Sequence, residues 1–329
     1  MTAAPRQASG PSVVAQGGGH GLAATLAALR DVTDDLTAVV TVADDGGSSG
    51  RLREELGALP PGDLRMALAA LAGHDEDART WAALAQHRFP GSGALGGHAV
   101  GNLVITALME TLGDPVVALD HVAALLRTSG RVLPLATTPL EIVADVVGLD
   151  EDDPGAAVEV RGQVAVATTG GRVVAVRVEP PEPSVCPQAV DAVLDADWAV
   201  LGPGSWFTSV IPHLLVPDMA KALAATRARR VVALNLSAQP GETDGFSAET
   251  HLEVLAAHAP ELQLDVVVAD ETAVAGGGSG LREAAEGFGA ELVVADVARD
   301  DGTPRHDPQR LAEVYQQVFT KFGGDAAWR

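Results

Sequence analysis

Three kinds of residue are scarce in this chain of 329 residues: it has one cysteine, two lysines, and aromatic side chains at only 3% of its positions. The single Cys186 excludes an intramolecular disulfide and any metal site built from several cysteines. A chain of this length nevertheless buries roughly 75% of the surface that its unfolded form exposes. We therefore expect a globular protein with a sizeable core and no disulfide cross-links.

Positive charge is also scarce. The chain carries 44 acidic residues against 22 arginines and lysines, which gives a formal net charge of −22. The field of such a surface repels a phosphate backbone, so we predict that nucleic acid is not a partner. A small anionic ligand would need local help from backbone N–H groups, helix N-termini, a few arginines or a metal ion.

Long hydrophobic runs are missing as well. No apolar run reaches the roughly 18 residues that a membrane helix needs, and the N-terminal residues show no basic segment followed by an apolar one. We therefore predict no membrane span and a cytoplasmic location.

The sequence does contain an alternation of short apolar runs and helical segments. "SVVAQ", "LAATLAALR" and "LTAVVTVA" have the patterns of strand, helix and strand, and "WAVLG", "VVALNL" and "LDVVVA" alternate with helical segments later in the chain. This predicts an α/β fold with one doubly wound, mainly parallel sheet, as a single domain over residues 1–329. Short β-prone runs over about 131–180, with "TTGGR" as a hairpin turn, predict a small antiparallel β insert.

A glycine-rich turn, "GGGHG" at residues 17–21, follows the first predicted strand. Gly18, Gly19 and Gly21 would let a phosphate approach the backbone at the start of a helix, and His20 would donate to it. The spacing is not the dinucleotide-binding fingerprint, since Leu22 stands at the place of its third glycine, and no Lys-Ser/Thr pair completes a P-loop. The turn is either a phosphate site or a tight turn without a ligand.

The segment "ADDGGSSGRLREELG" at residues 43–57 follows the second predicted strand. An acidic residue at this place accepts a ribose hydroxyl in doubly wound nucleotide binders, and adjacent acids hold Mg²⁺ beside a diphosphate, so Asp44 and Asp45 fit either role. The polar groups that follow would contact the same ligand: Gly46, Ser48, Ser49, Arg51 and Arg53. The alternative is an Asp-rich loop that caps a helix over residues 50–56.

Two predicted helix starts carry further candidates. Asp63 precedes "LRMALAAL" and would cap that helix, bind a ligand, or do both. "GGHAVGNLVI" places His98 and Asn102 at another helix start, where glycines permit either a close ligand or tight packing on the sheet.

Polar loops also follow two strands of the second half, and both would open onto the same edge of the sheet. The candidate ligand contacts in "GPGSW" and "NLSAQPGETDGF" are Gly202, Pro203, Gly204, Ser205, Asn235 and Gln239. Arg305, in "TPRHDPQRL", would return to this edge or lie on the surface. Covalent catalysis is not predicted, because the chain has neither HExxH nor a GxSxG nucleophile elbow.

Taken together, "GGGHGLAATLAALR", "VTVADDGGSSGRLREELGALPPGDLRMAL", "GHAVGNLVITAL", "GPGSWFTSVIPHLLV" and "NLSAQPGETDGF" resemble the YvcK family of gluconeogenesis factors, within the wider group of CofD-type 2-phospholactate transferases. The resemblance covers about residues 13–318. It implies a Rossmann-like α/β fold and UDP-N-acetylglucosamine or a related nucleotide as ligand. The implied role is regulatory and links central carbon metabolism and gluconeogenic growth to cell-wall synthesis and cell shape.

The resemblance also implies roles for residues. The turn at 18–21 and the loop at 202–205 would cradle phosphates, and Asp44, Asp45 and Asp63 would face a reacting or Mg²⁺-binding centre. Further ligand contacts would come from Asn102, Asn235, Gln239 and Arg305. Regulatory protein partners and a homodimer are further expectations.

A transferase is the alternative. In it, the same cleft would hold a GDP-linked donor, and the three aspartates with Mg²⁺ would assist transfer of a phospholactyl or phosphoenolpyruvyl group to a deazaflavin. "VADDG" and "PPGDLRM" differ from the runs usual in the transferase relatives, which favours the binding role. An NAD-dependent dehydrogenase is a third, weaker hypothesis, because the glycine spacing does not match.

Overall fold

The computed structural model describes residues 10–274 and 278–323 of the chain. Within them, seven parallel strands form a central sheet, and three antiparallel strands form a smaller one. Numbered in chain order, the strands are β1 (Val13–Gly17), β2 (Leu36–Val40), β3 (Arg131–Pro134), β4 (Glu141–Val147), β5 (Val158–Arg161), β6 (Arg172–Glu179), β7 (Trp198–Leu201), β8 (Arg229–Ala233), β9 (Val266–Asp270) and β10 (Glu291–Ala295). The predicted α/β fold, with a mainly parallel sheet and a small antiparallel insert, is confirmed.

Helices flank the central sheet. They are α1 (Gly19–Leu29), α2 (Gly47–Leu56), α3 (Gly62–Ala70), α4 (Glu76–Gln86), α5 (Val100–Leu112), α6 (Pro115–Leu126), α7 (Gln163–Ala167), α8 (Pro187–Asp195), α9 (Pro212–Leu215), α10 (Pro217–Ala225), α11 (Ala248–His258), α12 (Ser279–Gly287) and α13 (Pro308–Gly323). A π-helical turn covers Trp206–Val210, and a 3₁₀ turn covers Glu271–Val274. Among the helices of the described residues, none is both long and apolar enough to cross a bilayer.

The central sheet has the strand order β10-β9-β8-β7-β1-β2-β3. Its order reverses between β1 and β7, which are hydrogen-bonded neighbours from opposite halves of the chain. Ligands of open α/β sheets bind beyond the carboxyl ends of the strands at such a reversal. The fold therefore brings the loops that follow β1 and β7 together at the place where a ligand site is expected.

The β1–α1–β2 unit shows why the sequence folds this way. Leu22, Leu26 and Leu29 recur at helical spacing on α1, and all three are buried against the sheet. Each buried leucine contributes roughly 1.5–3 kcal/mol. Because this face of α1 is fixed on the sheet, its N-terminus is fixed at the carboxyl end of β1.

The antiparallel insert differs from the prediction in two respects. Arg131–Pro134, which we expected in the insert, is the edge strand of the central sheet and pairs in parallel with β2. The expected hairpin through "TTGGR" is also wrong: Gln163–Ala167 is a short helix, and β6 pairs with β4. The small antiparallel sheet therefore spans residues 141–179.

Candidate functional site

The loops after β1 and β7 are in direct contact. A Cβ atom added to Gly21 would lie 2.2 Å from the carbonyl oxygen of Pro203 and 2.6 Å from Cα of Gly204. Only glycine permits this approach, since other Cβ atoms essentially never come within 3.0 Å of such neighbours. The two glycine-rich loops therefore converge, as the sequence predicted. Gly18 and Gly19 lie at the same junction, where α1 begins.

The loop after β8 supports the loop after β7. The Asn235 side chain accepts a hydrogen bond from the Gly204 N–H and donates one to the Gly204 carbonyl, both at 2.9 Å. Gln239 lies beside Asn235, with 3.4 Å between Asn235 Nδ2 and Gln239 Oε1. Both residues were expected to contact a ligand. In the structure Asn235 holds the backbone of the glycine-rich loop in place.

Glu242 is a second support for that loop. Its buried Oε1 accepts hydrogen bonds from the N–H groups of Phe207, at 2.8 Å, and Thr208, at 3.1 Å. The Ser205 side chain also hydrogen-bonds to this carboxyl group, whose pKa is raised by burial. Glu242 therefore occupies the N–H groups at the start of the π-helical turn. Since the Gly204 N–H is bonded to Asn235, Ser205 supplies the N–H group that this loop offers to an anion.

Asp63 does not lie at the N-cap position of α3, where a capping side chain would have to be. Pro61 stands at the N-cap of α3, and Asp63 lies in the first turn of the helix. Its carboxyl group instead accepts hydrogen bonds from the Gly19 N–H and the Thr41 side chain, and so links α3 to the ends of β1 and β2. Burial and the neighbouring charge of Asp44 raise the pKa of Asp63 to about 7.

Asp44 faces the start of α3. A Cβ atom added to Gly62 would lie 2.4 Å from Asp44 Oδ2 and 2.5 Å from Ser49 Oγ, so a side chain here would displace these two polar groups. The other carboxylate oxygen of Asp44 accepts a hydrogen bond from the Gly46 N–H at 3.0 Å. Asp44, Asp63 and two hydroxyl groups thus bring oxygen atoms to the carboxyl end of β2.

The ligand atoms of this oxygen cluster are of the kind that Mg²⁺ prefers. Mg²⁺ takes oxygen ligands and is usually held by one or two carboxylates together with substrate phosphates and water. Asp44 and Asp63 satisfy that requirement. Within residues 10–274 and 278–323, there is no group of three or more His, Cys, Asp or Glu side chains that could hold a metal, so an ion here would depend on ligands from a phosphate and water.

Asp45 points towards the insert. Its Oδ1 accepts a hydrogen bond from the Val164 N–H, at 2.9 Å, at the start of α7. At the other end of α7, a Cβ atom added to Gly241 would lie 2.6 Å from the Ala167 carbonyl oxygen. The short helix α7 therefore contacts the loop after β2 at its start and the loop after β8 at its end.

Ser48, Ser49 and Asn102 belong to a buried network. Asn102 Nδ2 lies 3.0 Å from Ser48 Oγ and 3.5 Å from Ser49 Oγ, and Ser48 Oγ lies 2.9 Å from His98 Nδ1. Asn102 Oδ1 accepts a hydrogen bond from Arg65 Nε at 2.8 Å. These groups join α2, α3 and α5, so their predicted ligand contacts would compete with bonds inside the protein.

The two arginines that the sequence placed next to the ligand, Arg51 and Arg53, are bonded to carbonyl groups elsewhere in the protein. Arg51 donates to the Gly96 carbonyl and Arg53 to the Leu140 carbonyl. His20, in contrast, lies within electrostatic reach of Arg305 and Arg65, and both charges contribute, after burial, to lowering its pKa. Arg305 has thus returned to the carboxyl edge of the sheet from the far end of the chain.

Arg65, Thr41 and Val164 were missed by sequence reasoning. Arg65 lies inside an apolar helical pattern, "LRMALAAL", where a charged residue is normally assigned to the solvent face. It is only 4% exposed. The sequence around Arg65 carries no local signal of this burial, because its partner Asn102 lies on another helix.

Comparison with known proteins gives a family. The sequence profile described as "2-phospho-L-lactate transferase CofD" matches residues 13–302. A solved structure of a UPF0052 family member from Bacillus halodurans has a TM-score of 0.81 and 31% sequence identity, and the match covers 93% of this chain and 98% of that one.

Two relatives carry the name gluconeogenesis factor. The Mycobacterium tuberculosis protein is 57% identical over 311 residues, which is 94% of this chain and 90% of the relative. The Bacillus subtilis protein is 39% identical over 251 residues, which is 75% of each chain.

Proposed function

The chain belongs to the CofD family, in the group that contains the bacterial gluconeogenesis factors, and we propose that it binds a nucleotide sugar and reports its presence to other proteins. The proposed ligand is UDP-N-acetylglucosamine. The proposed role links central carbon metabolism during gluconeogenic growth to cell-wall synthesis and cell shape, in the cytoplasm.

One observation carries this proposal: the turn at 18–21 and the loop at 202–205 touch each other at the reversal of strand order. Gly18 has no side chain that could cap α1, and Asp63 accepts a hydrogen bond only from the first N–H group, that of Gly19, so the N–H groups of His20 and Gly21 are available to negative charge. Such N–H groups suit a diphosphate, and they do not depend on the strongly acidic surface. The nearby Arg305 adds positive charge at the same place, and the neutral ring of His20, whose pKa is lowered by burial and by that charge, can donate a hydrogen bond.

The aspartates would act on the ligand through Mg²⁺. Asp44 and Asp63 would hold the ion, which when bound would neutralise negative charge on a diphosphate. Because Asp63 has a pKa of about 7, binding of a cation would displace its proton. Ligand binding that requires Mg²⁺ should therefore strengthen as the pH rises from about 6 to 8.

The insert supplies a route for signalling. Asp45 binds the N–H of Val164, and Gly241 packs on the other end of the same short helix. A ligand that orders the loops after β2 and β8 would therefore stabilise the position of α7 and the insert. A partner protein that recognises the insert would then distinguish the two states.

A thermal-shift panel tests the ligand. UDP-N-acetylglucosamine with Mg²⁺ should raise the melting temperature, and GDP should not. The matched pair of variants is Asn235→Ala, which releases the backbone of Gly204, and Gln263→Ala, which removes an exposed amide elsewhere. A shift that persists in Asn235→Ala, or no shift with the wild type, would refute the proposed site.

The transferase remains the second candidate, because the family profile carries that description and Asp44 and Asp63 are close enough for their charges to interact. It requires stabilisation by GDP rather than by UDP-N-acetylglucosamine. It also requires transfer of a phospholactyl or phosphoenolpyruvyl group from a GDP-linked donor to a deazaflavin. A coupled assay that detects the phosphorylated deazaflavin would replace the binding proposal with the transferase.

A further inference from the structure

A cavity lies beside the proposed nucleotide site, between α1, α3 and α4. Its volume is about 700 Å³. Alanines of the three helices and Met66 form an apolar wall, and the polar groups come from His20, Arg65, Gln86 and Arg88. We refer to this cavity as the Arg65 cleft. Its size lies within the range of small-molecule sites in proteins.

Arg65 is the unusual residue of the cleft. It is only 4% exposed, and its Nε donates to Asn102 Oδ1. Within the described part of the chain, its two Nη groups have no hydrogen-bond or ion-pair partner, and the charges of Asp63 and Asp44 reach it only over a longer distance. The Nη groups are not enclosed by the protein but open into the cleft, where an anion could pair with them.

Positive groups are concentrated around the Arg65 cleft. Burial and the charge of Arg88 lower the pKa of Arg65, and the charges of Arg305 and Arg65 act on His20. This arrangement occurs in a chain with a net charge of −22. A positive cleft within a negative surface attracts anions locally, because low-dielectric walls focus its field.

The Arg65 cleft is distinct from the loops that we propose for the nucleotide. Of the groups that line it, only His20 also belongs to the turn at 18–21, and none belongs to the loop at 202–205. Asp63 and Arg65 share α3, but Asp63 bonds to Gly19 and Thr41, whereas Arg65 lines the cleft.

We propose that the Arg65 cleft is a second ligand site, which takes a small molecule with a phosphate or carboxylate group on a compact apolar body. This goes beyond the proposed nucleotide binding. The planar guanidinium groups of Arg65 and Arg88 match the paired oxygen atoms of such an anion. The alanines and Met66 would cover its apolar part.

Calorimetric titration at low salt tests the site, with butyl phosphate and butyrate as probes. At least one probe should bind the wild type, and Arg65→Gln and Arg88→Gln should each weaken that binding by about tenfold or more. Arg79→Gln removes the same charge from an exposed position on α4 and should leave the affinity unchanged. Arg88 is also exposed, so its variant tests the site even if Arg65→Gln fails to fold.

A crossed comparison separates this site from the nucleotide site. Asn235→Ala should lose stabilisation by UDP-N-acetylglucosamine but keep the probe affinity, and Arg88→Gln should do the reverse. Failure of the nucleotide to bind would refute the proposed function without affecting the cleft. No binding of either probe at millimolar concentration, equal binding to Arg88→Gln, or competition between probe and nucleotide would overturn the second site.

Discussion

Three aspartates at the carboxyl ends of β1 and β2 differ in role because their surroundings differ. Asp44 accepts a hydrogen bond from Gly46 and faces Gly62, Asp45 binds the N–H of Val164, and Asp63 is enclosed against Gly19 and Thr41. At Asp63, burial and the neighbouring carboxylate of Asp44 raise the pKa to about 7.

Asp63→Asn should change how stability depends on pH. The folded protein holds the Asp63 proton more tightly than the unfolded chain, whose aspartates titrate near 3.8, so the wild type loses stability as the pH rises from about 4 to 7. Asparagine stays neutral throughout. We expect the variant to melt several degrees above the wild type at pH 8 and close to it below about pH 4, as measured by calorimetry without ligand.

Asp31→Asn is the matched control for this experiment, because Asp31 is exposed. Its melting temperature should follow that of the wild type at each pH. A constant difference between Asp63→Asn and the wild type across the pH range would show that Asp63 does not titrate as we infer.

The sequence could predict residues that act through their backbone conformation, such as the glycines of the two loops. The glycines of the two loops were identified because glycines between a strand and a helix start mark a turn where other groups can approach the backbone closely. Ser48, Ser49 and Asn102 were expected at the ligand, but their partners His98 and Arg65 come from other helices. Side-chain partners that are distant in the sequence have no local pattern, so this network was not predictable.

At the scale of elements, strands and long helices followed their hydrophobic period, and the short helix α7 did not. "QVAVA" alternates as a strand does, yet Gln163–Ala167 is helical. Gly162 precedes it with a φ of 95°, a left-handed conformation that suits glycine, and Asp45 accepts a hydrogen bond from its first turn. Tertiary contacts thus override local preference in this five-residue segment.

Asp45→Ala should loosen α7 without unfolding the protein. The alanine variant leaves the Val164 N–H without its acceptor, whereas Asp45→Asn keeps an oxygen atom in place. Hydrogen–deuterium exchange of residues 163–168 should accelerate by about tenfold in Asp45→Ala and much less in Asp45→Asn. Equal exchange in both variants would show that Asp45 does not anchor the insert.

At the scale of the whole molecule, a net charge of −22 coexists with a carboxyl edge that carries Arg305 beside His20. The composition alone predicted that an anion would need local help, and the topology supplies it by joining the ends of the two halves. The overall charge does not predict which residues would bind the anion. Arg305 reaches the site only because the last third of the chain folds back to the carboxyl edge of the sheet.

Saturation with the nucleotide sugar should stabilise the whole molecule. A ligand at 100 times its dissociation constant adds about 2.7 kcal/mol to the free energy of unfolding. For a chain of 329 residues, this corresponds to a rise of roughly 4 °C in the melting temperature. A rise that does not increase with ligand concentration would be inconsistent with binding to the native state.

Hydrogen–deuterium exchange with and without UDP-N-acetylglucosamine and Mg²⁺ measures the convergence of the two halves on one ligand most directly. The account predicts slower exchange of the N–H groups in both the turn at 18–21 and the loop at 202–205, with the same dependence on ligand concentration. Protection of only one of these segments, or of neither, would contradict it.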